Sequence, residues 1–461
     1  MTRCRFRHAV LLAASWVATP LVALGQTPAL PLSPQAAPIT LAALEQRALQ
    51  NNPTLTQARA AVDAARGRAK QAGLLPNPTI GYSGDEVSRG PVIRGGEHGF
   101  FAEQTIPLGG KLGLSRAVFE REATEAEQIA ESQRLRVINT VRTVFYETLA
   151  AQYRVDVRDR LARLAAEAVG ISQQLFNTGA ADRPDVLESE MEAQRERAAL
   201  NAARNNLFRA SRRLAAVVGD PELQPGALDG TIEAQAPELD RDGVLTSVLE
   251  QSPELKTARA AVERTQAALT RARREPVPDL VIRGGPRYNR ERLEANGRPV
   301  GWESAFDVGL TIPLFNRNQG AIAASTADLS RSQREVGRLE LSLRSRVADV
   351  FDTYLTALRT SEIYRDEIVP RAAQAYQLYL DRYRAMAVAY PQVLVAQRIL
   401  FEANERFVDA AEQAWRAAVQ LQGFMLVGGL DAPGIPGGAP GNETAPLMES
   451  TGTSSSRRIR P

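Results

Sequence analysis

The chain has 461 residues, 44% of them hydrophobic but only 6% aromatic, with a formal net charge of +3. An apolar fraction that leans on alanine suits close-packed helices better than a large aromatic core, and the length exceeds one ordinary domain. Arg3, Arg5 and Arg7 stand in the first seven residues with no acid among them, so the rest is near neutral and gives no charge argument for nucleic acid.

Residues 1–25 read as a secretory signal: a basic start, an apolar stretch from Ala9 to Leu24, and small residues Ala23 and Gly25 before a cut at Gln26. Cys4 is the only cysteine and lies ahead of that stretch, so the mature chain is expected to hold no disulfide and no thiol chemistry. Downstream, no apolar run reaches the 18 or so residues a spanning helix needs. Entry into a membrane would have to be by strands.

A Pro-rich linker (26–39) leads into a first unit, 40–219. Short helices come first, with Pro53 suited to a first helical turn. Strands are expected at 78–88 and 99–107. A long helix then runs over 111–176, without Gly or Pro between Leu114 and Val169. Val137, Val141, Val144, Phe145 and Leu149 mark one face of it. At 1.5 Å per residue such a helix spans roughly 100 Å, too long for an ordinary domain. Gly179 is a natural left-handed stop, and Pro184 opens a return helix over 184–218. Residues 220–241 are a connector.

The second unit, 242–428, repeats the first. Ala58–Val62 recurs letter for letter at Ala258–Val262; Thr105–Leu108 recurs at Thr311–Leu314, and Pro184 at Pro391. An offset that drifts so little over a whole unit is the mark of duplication. Strands are expected at 278–288 and 304–313, a long helix at 317–383 and a return helix at 391–424. The tail 429–461, rich in Pro, Gly, Ser and Thr, is expected to be disordered. Phe306, Val308, Leu310 and Ile312 alternate with Asp307, Gly309 and Thr311, giving one apolar and one polar face. By itself a soluble sandwich explains that pattern equally well.

Four strands of about ten residues can cross a bilayer but cannot close a barrel, and open edges do not survive in lipid. Closure therefore calls for several copies: two would fill the interior with side chains, whereas three would leave a channel. The expected apolar face comprises Ile80, Tyr82, Phe100, Ile106, Leu280, Ile282, Phe306, Val308, Leu310 and Ile312.

Leu75-Pro-Asn-Pro78, Gln104-Thr-Ile-Pro-Leu-Gly-Gly-Lys111 and Ile312-Pro-Leu-Phe-Asn-Arg-Asn-Gln-Gly320 resemble the TolC family of outer-membrane efflux channels, over roughly residues 40–427. The last two are similar to its cation-resistance, CzcC-like branch. The resemblance implies a mainly α chain with membrane β-structure and an internal duplication. It implies a homotrimer, with a 12-stranded β-barrel above a long α-helical periplasmic barrel. It also implies a periplasmic adaptor and an inner-membrane pump as partners, no cofactor, and passive conduction of substrate, heavy-metal cations first. Drug efflux or a type I secretion channel remain alternatives within the class, and a periplasmic coiled-coil adaptor outside it.

Chemistry is poorly supported. His8 leaves with the signal, and His98, in a strand loop, is one imidazole where zinc or copper needs several converging ligands. There is no G-x-S-x-G elbow and no Walker spacing. Glu188, Glu190, Glu192 and Glu196 read as a solvated helix face, and Lys111, Arg116, Arg121 and Arg317 read as soluble helix surface rather than interfacial anchors. The resemblance directs attention to the periplasmic tips, where the tube would close and meet its adaptor: Gly179, Asp182, Pro184, Asp185 and Glu188 in the first unit, and Met386, Pro391, Gln392 and Val395 in the second. Relatives carry an aspartate ring where this chain has Gln392 and Val395. Asp182, Asp185 and Glu188 either replace that ring or merely favour a helix start. Met386 stands where a glycine is expected, so the second tip is expected to turn differently. Pro370 is expected to kink or break the second long helix.

Overall fold

The computed structural model describes residues 38–86, 96–223, 227–292 and 297–436. The expected leader, nearly all of the linker and the tail beyond 436 lie outside them. The first repeat holds helices α1 (Leu41–Asn51) and α2 (Pro53–Ala72), strands β1 (Thr79–Asp85) and β2 (Glu97–Ile106), and helices α3 (Lys111–Asn177) and α4 (Arg183–Val218). The second holds α5 (Arg241–Gln251), α6 (Pro253–Arg274), β3 (Leu280–Arg292), β4 (Pro299–Leu310), α7 (Gln319–Ile363), α8 (Val369–Arg384) and α9 (Tyr390–Gln422). The chain is thus mainly α with one small sheet and an internal duplication, as the resemblance implies.

Local chemistry starts each short helix. Thr40 Oγ1 accepts from the Ala43 amide, Asn52 Oδ1 from that of Thr54 and Asp240 Oδ2 from that of Gly243, each satisfying a free donor of the first turn. The expected face of α3 is the core of the first repeat: Val137, Val141, Val144, Phe145 and Leu149 pack with Leu44 of α1 and Leu214 and Val218 of α4. Leu343 and Val347 of α7 do the same with Val248, Leu255 and Met425. The four strands form one antiparallel sheet in the order β1-β2-β3-β4. Its central pair, β2 with β3, joins the two repeats, and β1 and β4 are its edges.

The second long helix, expected over 317–383 with a kink or break at Pro370, is interrupted just before it: α7 ends at Ile363, and one π turn, Tyr364–Ile368, precedes α8. Pro370 is the cause. It has no N–H for the carbonyl four residues back and its ring crowds that carbonyl; the wider turn, with the Val369 amide bonded to Tyr364 O, absorbs the mismatch without ending the rod. β4 begins at Pro299 rather than 304 and stops at Leu310, leaving Ile312 beyond its end, before Pro313. β3 runs on to Arg292.

The chain past 428 is not loose either. Gly429 O accepts from Asn52 Nδ2, Thr54 Oγ1 and Gln133 Nε2, and the Gly429 amide donates to Thr140 Oγ1. A Cβ at 429 would lie 2.9 Å from Val137 Cα, so the strap passes too close to α3 for any side chain. Residues 429–436 therefore belong to the folded body, and the expected disorder of 429–461 is wrong for that stretch. Its Gly- and Pro-rich composition provides close approach here, not looseness.

Candidate functional site

Antiparallel register assigns each strand residue to a face, because directly opposed residues point the same way. Ile80, Ala102, Gly284 and Phe306 form one row; Gln104, Ile282 and Val308 form the next, followed by Ile106, Leu280 and Leu310. Tyr82 opposes Phe100 on the same side, and Tyr288 and Trp302 meet edge-on, ring centroids 5.5 Å apart, towards the far end. The predicted apolar residues in the strands thus share one face. It is open: Ile80 is 78% exposed and Val308 58%.

His98 belongs to this face and to strand β2, not to a loop, and its Nδ1 lies 2.5 Å from Tyr82 Oη. The expected strand began at Gly99, which left His98 in the loop before it, whereas β2 begins at Glu97. Among the described residues no group of three or more His, Cys, Asp or Glu is arranged to hold a metal ion.

The opposite face is charged. Arg287 pairs with Glu97 at 2.6 Å and Glu303 at 3.3 Å. Glu103 and Asp307 flank Arg283 in the ladder, and the Arg283 guanidinium lies 3.7 Å from the centre of the Phe101 ring. Phe101 lies over Gly81, where a Cβ would come within 2.5 Å of the ring, so any side chain there would have to push the ring aside. Asp85 is paired to Glu97, so the described side chains on this face include Asp85, Glu97, Glu103, Glu303 and Asp307 beside Arg283 and Arg287. Where the sheet meets the helices, Lys111 Nζ bonds Asp279 Oδ1 at 2.9 Å with its side chain only 9% exposed. That corrects its reading as helix surface: Lys111 ties the start of α3 to the entry of β3. Arg116 and Arg121 are exposed and pair with Glu120 and Glu263.

At the other end two hairpin tips lie side by side. Gly179 (φ 76) and Met386 (φ 59) are both left-handed. The hydrogen bonds match residue for residue: Ala180 N to Leu175 O and Gly179 N to Phe176 O in one, Ala387 N to Arg382 O and Met386 N to Tyr383 O in the other. Both turns are thus the same Schellman motif, which corrects the expectation that the second turns differently. Methionine there carries left-handed strain of about 1–2 kcal/mol. Met386→Gly is expected to stabilise the protein by about 0.5–1 kcal/mol, the remainder being lost to glycine's unfolded-state entropy. Gly179→Met is expected to do the reverse, both read as shifts in thermal unfolding of the detergent-solubilised protein.

Asp182 occupies the N-cap of α4 without a capping bond, and Ala389 is its counterpart before α9. Asp182, Pro184, Pro391, Gln392 and Val395 are exposed, and Asp185 and Glu188 half-buried. The tips are joined by an Arg384–Glu167 ion pair and by Tyr383 Oη donating to Ser172 Oγ at 3.0 Å. Beneath lie Tyr376, Tyr383 and Tyr390 in one apolar cluster, and burial pushes the Tyr376 hydroxyl up to about 12.

Sequence reasoning missed the polar seam above the tips. Glu192 and Glu196, taken for a solvated face, are each only 5% exposed. Glu196 Oε2 meets Arg158 at 3.1 Å, Arg158 also binds Glu405, and Arg154 binds Asp409 and Glu412. Glu192 is held by Arg195 and Arg398. Burial raises the Glu196 carboxyl above its ordinary range, against the opposing pull of Arg158. Apart from Arg195, three residues from Glu192 on α4, these partners lie on other helices, where spacing along one helix could not find them.

A profile of the outer membrane efflux protein family matches residues 44–220 and 244–425, one segment for each repeat. The chain is 26% identical over 394 residues to the cobalt-zinc-cadmium resistance protein CzcC of Cupriavidus metallidurans, covering 84% of this chain and 90% of that one. Among solved structures it is similar to the outer membrane protein VceC of Vibrio cholerae (TM-score 0.68, 18% identity, 84% and 96% of the two chains). It also resembles the open state of the MtrE outer membrane channel of Neisseria gonorrhoeae (TM-score 0.63, 18% identity, 85% and 90%).

Proposed function

The chain belongs to the outer membrane efflux protein family, and from that premise we propose that three copies close one tube that carries heavy-metal cations out of the periplasm. The sheet carries this reading. It has two free edges, an open apolar face and a charged face, and no described helix is long and apolar enough to cross a membrane. Unpaired edges are not tolerated in lipid, and joining β4 of one copy to β1 of the next removes them. Twelve strands leave a water-filled interior, whereas eight would be filled by side chains. The apolar face then meets lipid and the charged face lines the exit.

In this reading the hairpin tips are the periplasmic mouth, docking an adaptor that links the tube to an inner-membrane pump. The pump supplies the motive force and the tube an insulated path. Asp182 and Asp185, with Glu188, place carboxylates at that mouth where the second repeat has Gln392 and Val395. Cations are the favoured cargo because the relative CzcC is a cobalt-zinc-cadmium resistance protein and because carboxylates outnumber guanidiniums among the described side chains of the charged face. A lining of net negative charge concentrates cations.

The test is planar-bilayer conductance under a salt gradient. The purified protein is expected to conduct with a reversal potential of the cation-selective sign. Glu103→Gln with Asp307→Asn is expected to move that potential toward zero at unchanged insertion. Absence of conductance from a purified trimer would remove the channel reading, and an anion-selective potential the proposed cargo.

A further inference from the structure

Inside the chain, α9 lies along α3 through a single stripe. Trp415 stacks on Tyr146 with ring centroids 4.2 Å apart, and Glu412 and Glu405 take Arg154 and Arg158. Phe401, Glu405, Val408, Glu412 and Trp415 recur at alternate steps of four and three, the spacing of a helix–helix seam. The repeat offset carries this stripe onto α4, and there it is bare. Ala198, Asn201, Asn205 and Phe208 continue the same steps, reaching Met191 and Arg212 beyond, and each is exposed. Phe208, the counterpart of Trp415, is 63% exposed. It is also preset: the Arg212 guanidinium sits 5.3 Å from its ring centre, and Arg212 Nη1 donates to Pro221 O at 3.1 Å.

The matching seat is on α7. The relation that carries Val137 and Val141 of α3 onto Leu343 and Val347 of α7 carries Tyr146 onto Asp352, which is exposed, along with Asp349, Thr356 and Ile363 on the same side. Within the chain α4 packs on α3, and α7 on α6 and α9. The relation that superposes repeat one on repeat two turns the internal α3–α9 seam into a contact of α7 with α4 of another copy. It likewise turns the internal β2–β3 pairing into β4–β1. Charge agrees, since α7 offers Asp349 and Asp352 where α4 offers Arg209 and Arg212.

We propose that the α4 stripe seats α7 of a second copy, in the register that sets Phe208 and Arg212 against Asp352. This rests on the tube proposed above and adds which helix faces meet and how they are aligned. The seam between copies then differs in kind from the seam within one. Inside, an aromatic stack and the carboxylate–guanidinium pairs of Arg154, Arg158 and Arg416 lock the helices together. Between copies, small residues, two asparagines and one preset Phe–Arg unit do the same work with less.

The test uses the full chain in isolated outer membranes, where the mature protein is expected to carry no cysteine of its own. Phe208→Cys and Asp352→Cys are combined and treated with a short bis-maleimide. The expected result is dimer- and trimer-sized bands on a denaturing gel, with each single variant remaining a monomer. No ladder from a double variant that still sediments as a trimer in detergent overturns the seam and leaves the tube standing. A protein that sediments as a monomer overturns both, and a cross-link to another protein overturns the seam. In parallel, Asp352→Arg should lower the trimer fraction in detergent about tenfold, and adding Arg212→Asp should restore it to within about twofold. A double reversal no better than the single would show that this register is wrong.

Discussion

Val308→Arg is expected to remove the protein from the outer membrane, lowering its amount in that fraction at least about tenfold. Val308 lies mid-strand, 58% exposed, on the apolar face opposite Ile282. An arginine facing lipid near the bilayer midplane costs about 2–4 kcal/mol, and a ring of three multiplies it to about 6–12 kcal/mol. Each barrel would carry all three, with no unmodified copy to dilute them. Asp307→Asn, one residue earlier and on the other face, is expected to insert normally and to change only selectivity. Fractionation and immunoblotting of the two variants compare them directly. If Val308→Arg inserts and conducts as usual, the two faces have been assigned the wrong way round.

Arg158→Ala is expected to destabilise the helical body by about 3 kcal/mol, since it strands a buried carboxylate. Glu196 is left without its partner and Glu405 loses one of two. The figure sits at the low end of the range because the Glu405 side chain is 30% exposed. The pH dependence has a definite sign. The folded-state pKa of Glu196 is raised by burial, so its contribution to stability is complete below the ordinary carboxylate range and is lost as pH rises through the folded value. Taking away Arg158 removes the opposing pull and deepens that loss. Glu192 and Glu405 add repulsion, and the Arg195 and Arg398 pairs with Glu192 do not reach Glu196. Thermal unfolding of the variant should therefore approach that of the parent protein near pH 4.5 and separate from it near pH 8. Equal separation at both would show that lost packing, not charge, is responsible.

The parts legible in the sequence are those where chemistry repeats along the chain. Phe306, Val308 and Leu310 alternate at the strand period, Val137 to Leu149 follow the helix period, and Ala58–Val62 is copied in Ala258–Val262. Pro370 announced a break, because a missing N–H acts where it stands. What escaped depends on partners brought together only by folding. Glu196 reads as surface until Arg158 approaches from α3, and Lys111 until Asp279 closes over it. Met386 escaped for another reason: the hydrogen bonds at Tyr383 and Arg382 outweigh the strain of one left-handed methionine, so the turn persists without glycine. Gly429 reads as a loose tail because composition does not record that α3 leaves room there for backbone alone.

The place of β2 beside β3, at the centre of the sheet, has a consequence for the kinetics of assembly. A free half-molecule, one repeat with two strands, would need six copies to meet before a twelve-stranded ring closed. Fusing two repeats makes every second join intramolecular, with an effective concentration set by the tether instead of by expression level. In the proposed tube three copies would then suffice, and the steep dependence of ring assembly on protein abundance would fall from sixth order to third. Scarcity in the membrane is thereby less of an obstacle to a finished tube.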